Sequence, residues 1–160
     1  MPDTADITIR PFREGDVSAT AKLYFQSVRE GTVAYYDDAQ RQAWAPEVPD
    51  DRDWGDKLKG QRVFIAEQSG TMAGFMTLVP DGEIDLAFVA PAFIGKGVAW
   101  KLYQAALTEA RNLGLTRLSA HASYLARPFF ERQGWSVIKE QTVIRNDVEL
   151  TNFVMEKQLS

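Results

Sequence analysis

The chain has 160 residues, 45% hydrophobic and 25% charged, with a net charge of −4 and no cysteine. That length and mix suit a single compact domain over residues 1–160 and argue against a disordered or fibrous chain. The acidic balance argues against wrapping a nucleic-acid backbone, and the missing thiols exclude disulfides, thiolate metal sites and a cysteine nucleophile.

The start, residues 1–6, is acidic and polar, unlike the basic and then apolar run of a signal peptide. No apolar stretch approaches the ~18 residues that cross a bilayer. The expectation is a cytoplasmic protein with neither a membrane nor a nucleic acid as partner.

In chain order, residues 7–10 read as a first strand that ends at Pro11. Asp16 is placed to cap a helix from residue 17 to about 29, whose stripe is Val17, Thr20, Ala21, Tyr24, Phe25 and Val28. Residues 31–54 are less regular, with a short helix expected around 38–44. Residues 63–66 and 74–79 are strand-like and joined by the turn Gln68-Ser69-Gly70-Thr71, which suggests a hairpin. After the turn Asp81-Gly82, residues 84–89 form a further strand stopped by Pro91.

Residues 97–113 carry a helical stripe of Ala99, Leu102, Tyr103, Ala106, Leu107, Ala110 and Leu113, with Gly114 as C-terminal cap. Residues 118–122 are strand-like, and 125–133 form a short helix ended by Gly134. Strands 136–144 and 148–156 reverse at Asn146-Asp147. The order β α α β β β α β α β β describes an α/β mixed sheet rather than repeated βαβ units.

The strand at 84–89 runs through Pro91 into Gly95-Lys96-Gly97 and directly into a helix. The first N–H groups of a helix lack internal partners and carry partial positive charge, and glycines let an anion approach the backbone. Lys96 adds a cation. A dinucleotide fingerprint would need a glycine where Trp100 stands, and a P-loop would need Ser or Thr after Lys96. Both fail, which leaves two readings of the turn: an anion site, or a tight bend that needs glycine only for its geometry.

Val89-Ala90-Pro91 followed by Gly95-Lys96-Gly97-Val98-Ala99 and Leu102 resembles the acetyl-CoA motif of the GNAT superfamily of N-acetyltransferases. That family's pattern R/Q-x-x-G-x-G/A falls here on Ile94, Gly97 and Ala99. The segment Ser123-Tyr124-Leu125-Ala126-Arg127-Pro128-Phe129-Phe130-Glu131-Arg132-Gln133-Gly134-Trp135 is similar to its closing N-x-x-A-x-x-F-Y-E-K-x-G-F. Ala126 to Glu131, together with Leu150-Thr151-Asn152-Phe153, resembles the YafP-like branch.

The resemblance implies a mixed, mostly antiparallel sheet splayed between strands 4 and 5 and flanked by about four helices. It also implies acetyl-CoA as cosubstrate. The pantetheine would pair with the backbone at Phe88 and Val89, and the diphosphate would sit on Gly95, Lys96, Gly97, Val98 and Ala99. Ser123 takes the Asn position and hydrogen-bonds the pantetheine. Two positions depart from the pattern. Ile94 replaces Arg or Gln, which implies weaker cofactor affinity. Phe130 replaces the tyrosine that protonates the leaving thiolate, so Tyr124 becomes the replacement donor, set against its reading as a packed or surface tyrosine.

The attacking amine must be neutral, which asks for a base. Glu83 and Asp85 share parity along their strand, so both can face the same side as Ala87 and Val89. Glu83 matches the family's commoner base position, whereas Asp85 lies deeper. Each has a plain reading as a solvated or salt-bridged carboxylate. His121, the only histidine, lies on the opposite strand of the splay, where a structural role competes with a catalytic one. With no second His and no Cys, the residues argue against a transition-metal site.

Tyr35, Tyr36 and Trp44 fall in the region that covers the acceptor in this superfamily, as a wall for an amine or as ordinary core. The nearby Asp37, Asp38, Asp50, Asp51 and Asp53 would favour a cationic acceptor, or are only a solvated face. The expectation is an N-acetyltransferase moving acetyl from acetyl-CoA to a primary amine by direct attack in a ternary complex. Its rivals are a non-catalytic CoA-binding module and an interaction domain of the same fold. The acceptor, a small molecule or a peptide amine, is open, as is the choice between monomer and homodimer.

Overall fold

The structure is a computed structural model that describes residues 6–159, so the acidic start at residues 1–5 lies outside the described residues. Its strands are β1 (Thr8–Pro11), β2 (Arg62–Gln68), β3 (Thr71–Leu78), β4 (Glu83–Val89), β5 (Arg117–Ala122), β6 (Ser136–Arg145) and β7 (Val148–Gln158). They form one sheet in the order β1-β2-β3-β4-β5-β7-β6. Every neighbouring pair is antiparallel except β4 and β5.

The helices are α1 (Val17–Gly31), α2 (Asp38–Trp44), α3 (Asp51–Leu58), α4 (Val98–Asn112) and α5 (Arg127–Arg132). α3 is the one the sequence reading did not separate. It buries only Trp54 and Leu58, so its apolar stripe is too thin to read as a period. Its start is nonetheless written in the chain, because the Asp50 carboxylate accepts from the N–H groups of Arg52 (2.8 Å) and Asp53 (3.1 Å).

α1 starts where expected, but Asp16 does not cap it. Its carboxylate accepts from Arg13 N at 2.8 Å, closing a single 3-10 turn over Glu14–Asp16, and takes both Arg10 nitrogens at 2.8 Å. The Arg10 guanidinium holds the carboxyl below the usual aspartate range. The two-residue turns at Ser69-Gly70 and Asn146-Asp147 have positive φ at both positions, the geometry that closes tight hairpins. α4 and α5 end alike: Leu115 N reaches Ala110 O and Trp135 N reaches Phe130 O, each at 3.0 Å around a left-handed glycine.

Each face of the sheet carries its own core. Val98, Leu102, Tyr103 and Ala106 of α4 and Phe130 of α5 pack on one face with Leu118, Phe153 and Met155. Ala21, Tyr24 and Val28 of α1 and Trp54 and Leu58 of α3 pack on the other with Ile65, Phe75 and Leu86. Gly74 of β3 seats α4 on the sheet. A Cβ there would lie 2.8 Å from Phe88 O and 3.0 Å from Val98 Cγ1, so no side chain fits.

A bulge interrupts β4. Met76 pairs with Ala87 and Leu78 with Ile84, so two residues of β4 oppose Thr77 alone. The buried Thr77 hydroxyl accepts from Leu86 N at 3.0 Å, which satisfies the amide displaced from the ladder. The extra residue reverses the alternation. Ile84, Ala87 and Val89 pack toward α4, whereas Leu86 and Phe88 pack toward α1 and α3.

Candidate active site

β4 and β5 pair only at Glu83–Ser119 and Ile84–Ala120. Beyond those two pairs the strands diverge, giving the splay expected between strands 4 and 5. The edge of β7 past the end of β5 is covered by residues of the α1–α2 segment. Tyr36 donates to Thr151 O at 2.7 Å and Gln40 Nε2 to Glu149 O at 3.2 Å. The same Tyr36 hydroxyl accepts from Tyr124 N at 3.1 Å. Burial pushes the Tyr36 phenol up, which keeps its proton in place for Thr151.

A cavity of about 590 Å³ opens beside the splay. Its walls come from β4 (Ala87, Phe88, Val89), from the turn into α4, and from the Ser123–Gln133 stretch, with Tyr35 and Trp44 at one side. The lining is mostly apolar, which suits an extended, weakly polar arm.

The turn into α4 supplies the polar end. Gly95 and Gly97 both lie in the left-handed region, at φ 82° and 81°. The N–H groups of Gly95, Gly97, Val98, Ala99 and Trp100 find no acceptor among the described residues. Free helix N–H groups beside left-handed glycines form a concave donor set suited to an anion. Gly95, Gly97, Val98, Ala99 and Ile94 all line the cavity, while Lys96 does not. Ile94, 44% exposed, turns its side chain toward Gly31 at the end of α1, so it neither donates to the cradle nor blocks it.

On β4, Phe88 O faces β3, as its approach to Gly74 shows, while Val89 O takes a 2.5 Å bond from the Ser27 hydroxyl. Ser27, which lies outside the stripe read for α1, had no signal in the sequence. Ser123 Oγ accepts from Ala126 N at 3.1 Å at the entry to α5, which leaves its own hydrogen free to donate into the cavity it lines. Phe130 forms the floor, 2% exposed, with its ring 4.6 Å from Trp135. Arg132 also lines the cavity and makes no ion pair among the described residues. It occupies the Lys position of the closing motif, where it could have been found.

The proposed proton-transfer residues stand outside the lining of this cavity. Tyr124 is held by ring stacking on Tyr35 (6.5 Å, 8°) and an edge contact with Phe153 (5.1 Å), and its hydroxyl has no partner among the described residues. Because of the bulge, Asp85 does not face the side of Ala87 and Val89. It points toward α3, where its carboxylate meets Lys57 Nζ at 3.4 Å and Gln61 Nε2 at 2.9 Å. Glu83, next to the turn, shares that face, since both alternate with Ile84. His121 alternates with Ala120 and Ala122, so it also lies on the α3 face, exposed and with no side-chain hydrogen bond among the described residues.

Tyr36 is buried and outside the cavity lining, whereas Tyr35 and Trp44 line it. The acidic run serves helix ends: Asp37 caps α2 through Gln40 N (2.8 Å), Asp38 pairs with Arg41 (2.7 Å), and Asp50 caps α3. Among the described residues no group of His, Asp and Glu is arranged to hold a metal ion, and no helix is long and apolar enough to cross a membrane.

Comparison with known proteins agrees with this geometry. A family model, the acetyltransferase (GNAT) domain, matches residues 32–157. An uncharacterized N-acetyltransferase of Escherichia coli strain K12, YafP, is 30% identical over 150 residues, covering 94% of this chain and 95% of that protein. The crystal structure of a GCN5-related N-acetyltransferase from Rhodopseudomonas palustris superposes with a TM-score of 0.90 at 31% identity, covering 95% of both chains. The yncA protein of Salmonella typhimurium, solved with its cofactor acetyl-CoA, shares the fold at a TM-score of 0.74 and 20% identity, over 97% of this chain and 95% of that one. With two motifs, a splayed sheet and a donor-lined turn in agreement with these matches, the chain belongs to the GNAT family of acetyltransferases.

Proposed function

We propose that this protein transfers the acetyl group of acetyl-CoA to a primary amine by direct attack in a ternary complex. The observation that carries the reading is the junction of a free N–H cradle at the start of α4 with an apolar cavity along the opened edge of β4. A diphosphate on residues 95–99 would direct the pantetheine along β4, where Val89 N–H, Ala87 and Ser123 offer polar contacts. The thioester would then lie near Phe130 and the splay.

The neutral amine attacks the thioester carbonyl carbon, so a C–N bond forms and the C–S bond breaks, releasing CoA as thiolate. A thiol near pKa ~8.5 leaves readily, so the proton Phe130 cannot give is a modest loss. Tyr124, rigidly held with an uncommitted hydroxyl, is the donor this reading offers. For the base, the imidazole of His121, without a partner among the described residues, is favoured over Asp85, whose carboxylate is engaged by Lys57 and Gln61. Glu83 shares their face at the strand end. The acceptor wall is Tyr35 and Trp44; of the nearby acids, Asp37 and Asp50 cap helices and Asp38 pairs with Arg41, which gives those three a structural use.

The test is thiol release across a panel of amines, with calorimetry for acetyl-CoA. His121→Ala is expected to lower kcat about a hundred-fold while acetyl-CoA binding stays intact. Full turnover in His121→Ala, Asp85→Ala and Glu83→Ala would refute the base assignments. No binding at millimolar acetyl-CoA would refute the cofactor reading itself.

A further inference from the structure

Trp100 is the residue that breaks a dinucleotide fingerprint, and nothing in the reaction described above uses it. It stands in the first turn of α4, is 51% exposed and forms part of the cavity wall. Trp100 and Tyr103 are three residues apart and share a helix face. The Tyr103 ring meets Phe129 of α5 edge-on at 5.8 Å, so that face looks toward α5. Trp100 therefore sits at the open end of the crevice between α4 and α5, with Arg132 and Gln133 on the opposite side of the same cavity.

An indole is a large apolar surface, and half of this one is left in water with no aromatic partner or stacked cation among the described residues. The cosubstrate has three chemically distinct parts. The arm fits the apolar gap along β4 and the diphosphate fits the cradle. The adenosine must then emerge past the cradle, away from β4, and Trp100 is the wall on that side. A purine offers a flat π-face to such a surface.

We propose that Trp100 is the stacking platform for the adenine ring of the cosubstrate, an inference that rests on the acetyl-CoA reading of the cavity. It explains an exposed tryptophan directly after Gly97, Val98 and Ala99. It also supplies affinity where Ile94 withholds a polar side chain from the diphosphate.

Calorimetry with CoA and with 4′-phosphopantetheine, which lacks the adenosine together with its 3′- and 5′-phosphates, tests it on the intact chain. Trp100→Ala is expected to weaken CoA about ten-fold and leave phosphopantetheine within two-fold. Trp100→Phe, which keeps a ring, should stay within about three-fold of wild type for CoA. Wild-type tryptophan emission should be quenched by CoA and not by phosphopantetheine, and Trp100→Phe should lose that quench. Equal weakening of both ligands, or no weakening of either, overturns the platform. If wild type binds neither ligand, the acetyl-CoA reading fails instead, a result distinct from both.

Discussion

The two faces of this sheet build their sides of the splay by opposite means. On the α4 side, one continuous stretch from β4 through α5 provides strand, donor turn, helix and floor, and the donors of its turn are backbone N–H. On the α1 side the wall is assembled from segments far apart in sequence: Tyr36 bonds Thr151, Gln40 bonds Glu149, and Asn146 Nδ2 bonds Ala43 O at 2.8 Å. A site made of backbone tolerates side-chain change and is intolerant of lost glycines. A site made of long-range side-chain bonds loses shape when one hydroxyl is removed, and it can be retuned without touching the cofactor.

The sharpest way to break that contrast is at Gly74. Gly74→Ala should cost about 3 kcal/mol of stability in a urea melt, because Phe88 O, Val98 and Leu102 all abut the new methyl group. Cofactor affinity should fall with it, since the start of α4 is what moves. Gly97→Val comes next: a β-branched residue at φ 81° should raise the CoA dissociation constant about a hundred-fold by calorimetry. Gly95→Ala has open space around its Cβ and bears only left-handed strain, so about ten-fold is expected there. Equal effects of the two would mean the cradle is strain alone and not ligand approach.

On the other face, Tyr36→Phe leaves Thr151 O and Tyr124 N without their partner and should cost about 2 kcal/mol. The KM for the amine should rise several-fold while CoA affinity stays within two-fold; a matching loss of CoA affinity would erase the division between faces. Asp16→Asn is the smallest, about 1.5 kcal/mol at pH 7 in the same melts. Because the native carboxyl titrates below its unfolded value of about 3.9, its contribution is present above that pH and is lost as pH falls through the native value. The gap between wild type and variant should therefore close in acid, and a constant gap would assign the effect to packing.

The contrast also explains what could be read from the chain. The donor turn, both helix-ending glycines and the 146–147 reversal are local patterns, and each lies where its spacing indicates; the α4 stripe holds from Leu102 to Ala110, whereas Leu113 is exposed past the helix end and Val98 is buried at its start. α3 escaped because two buried residues and a mid-helix Gly55 give no period. Tyr36 was grouped with Tyr35 and Trp44 because adjacent aromatics look alike in sequence; only its 3% exposure and two hydrogen bonds separate them. Asp16 looked like a helix cap because sequence gives position and not the competing donors, Arg10 and Arg13, that claim the carboxylate.

The sequence by itself determined the turn into α4, since left-handed glycines and free helix N–H groups need no distant partner. It determined the family in the same way, through two motifs held within short stretches. Only the tertiary structure decided which face of the sheet each β4 residue takes. One extra residue in β4 reversed the alternation, so Asp85 parted from Ala87 and Val89 and joined the face of His121. Strand parity is a local rule, and a bulge exists only once Thr77 stands opposite Leu86 to satisfy the amide it displaces. The glycine turn was legible at once; the facing of the β4 carboxylates had to wait for the sheet to close around them.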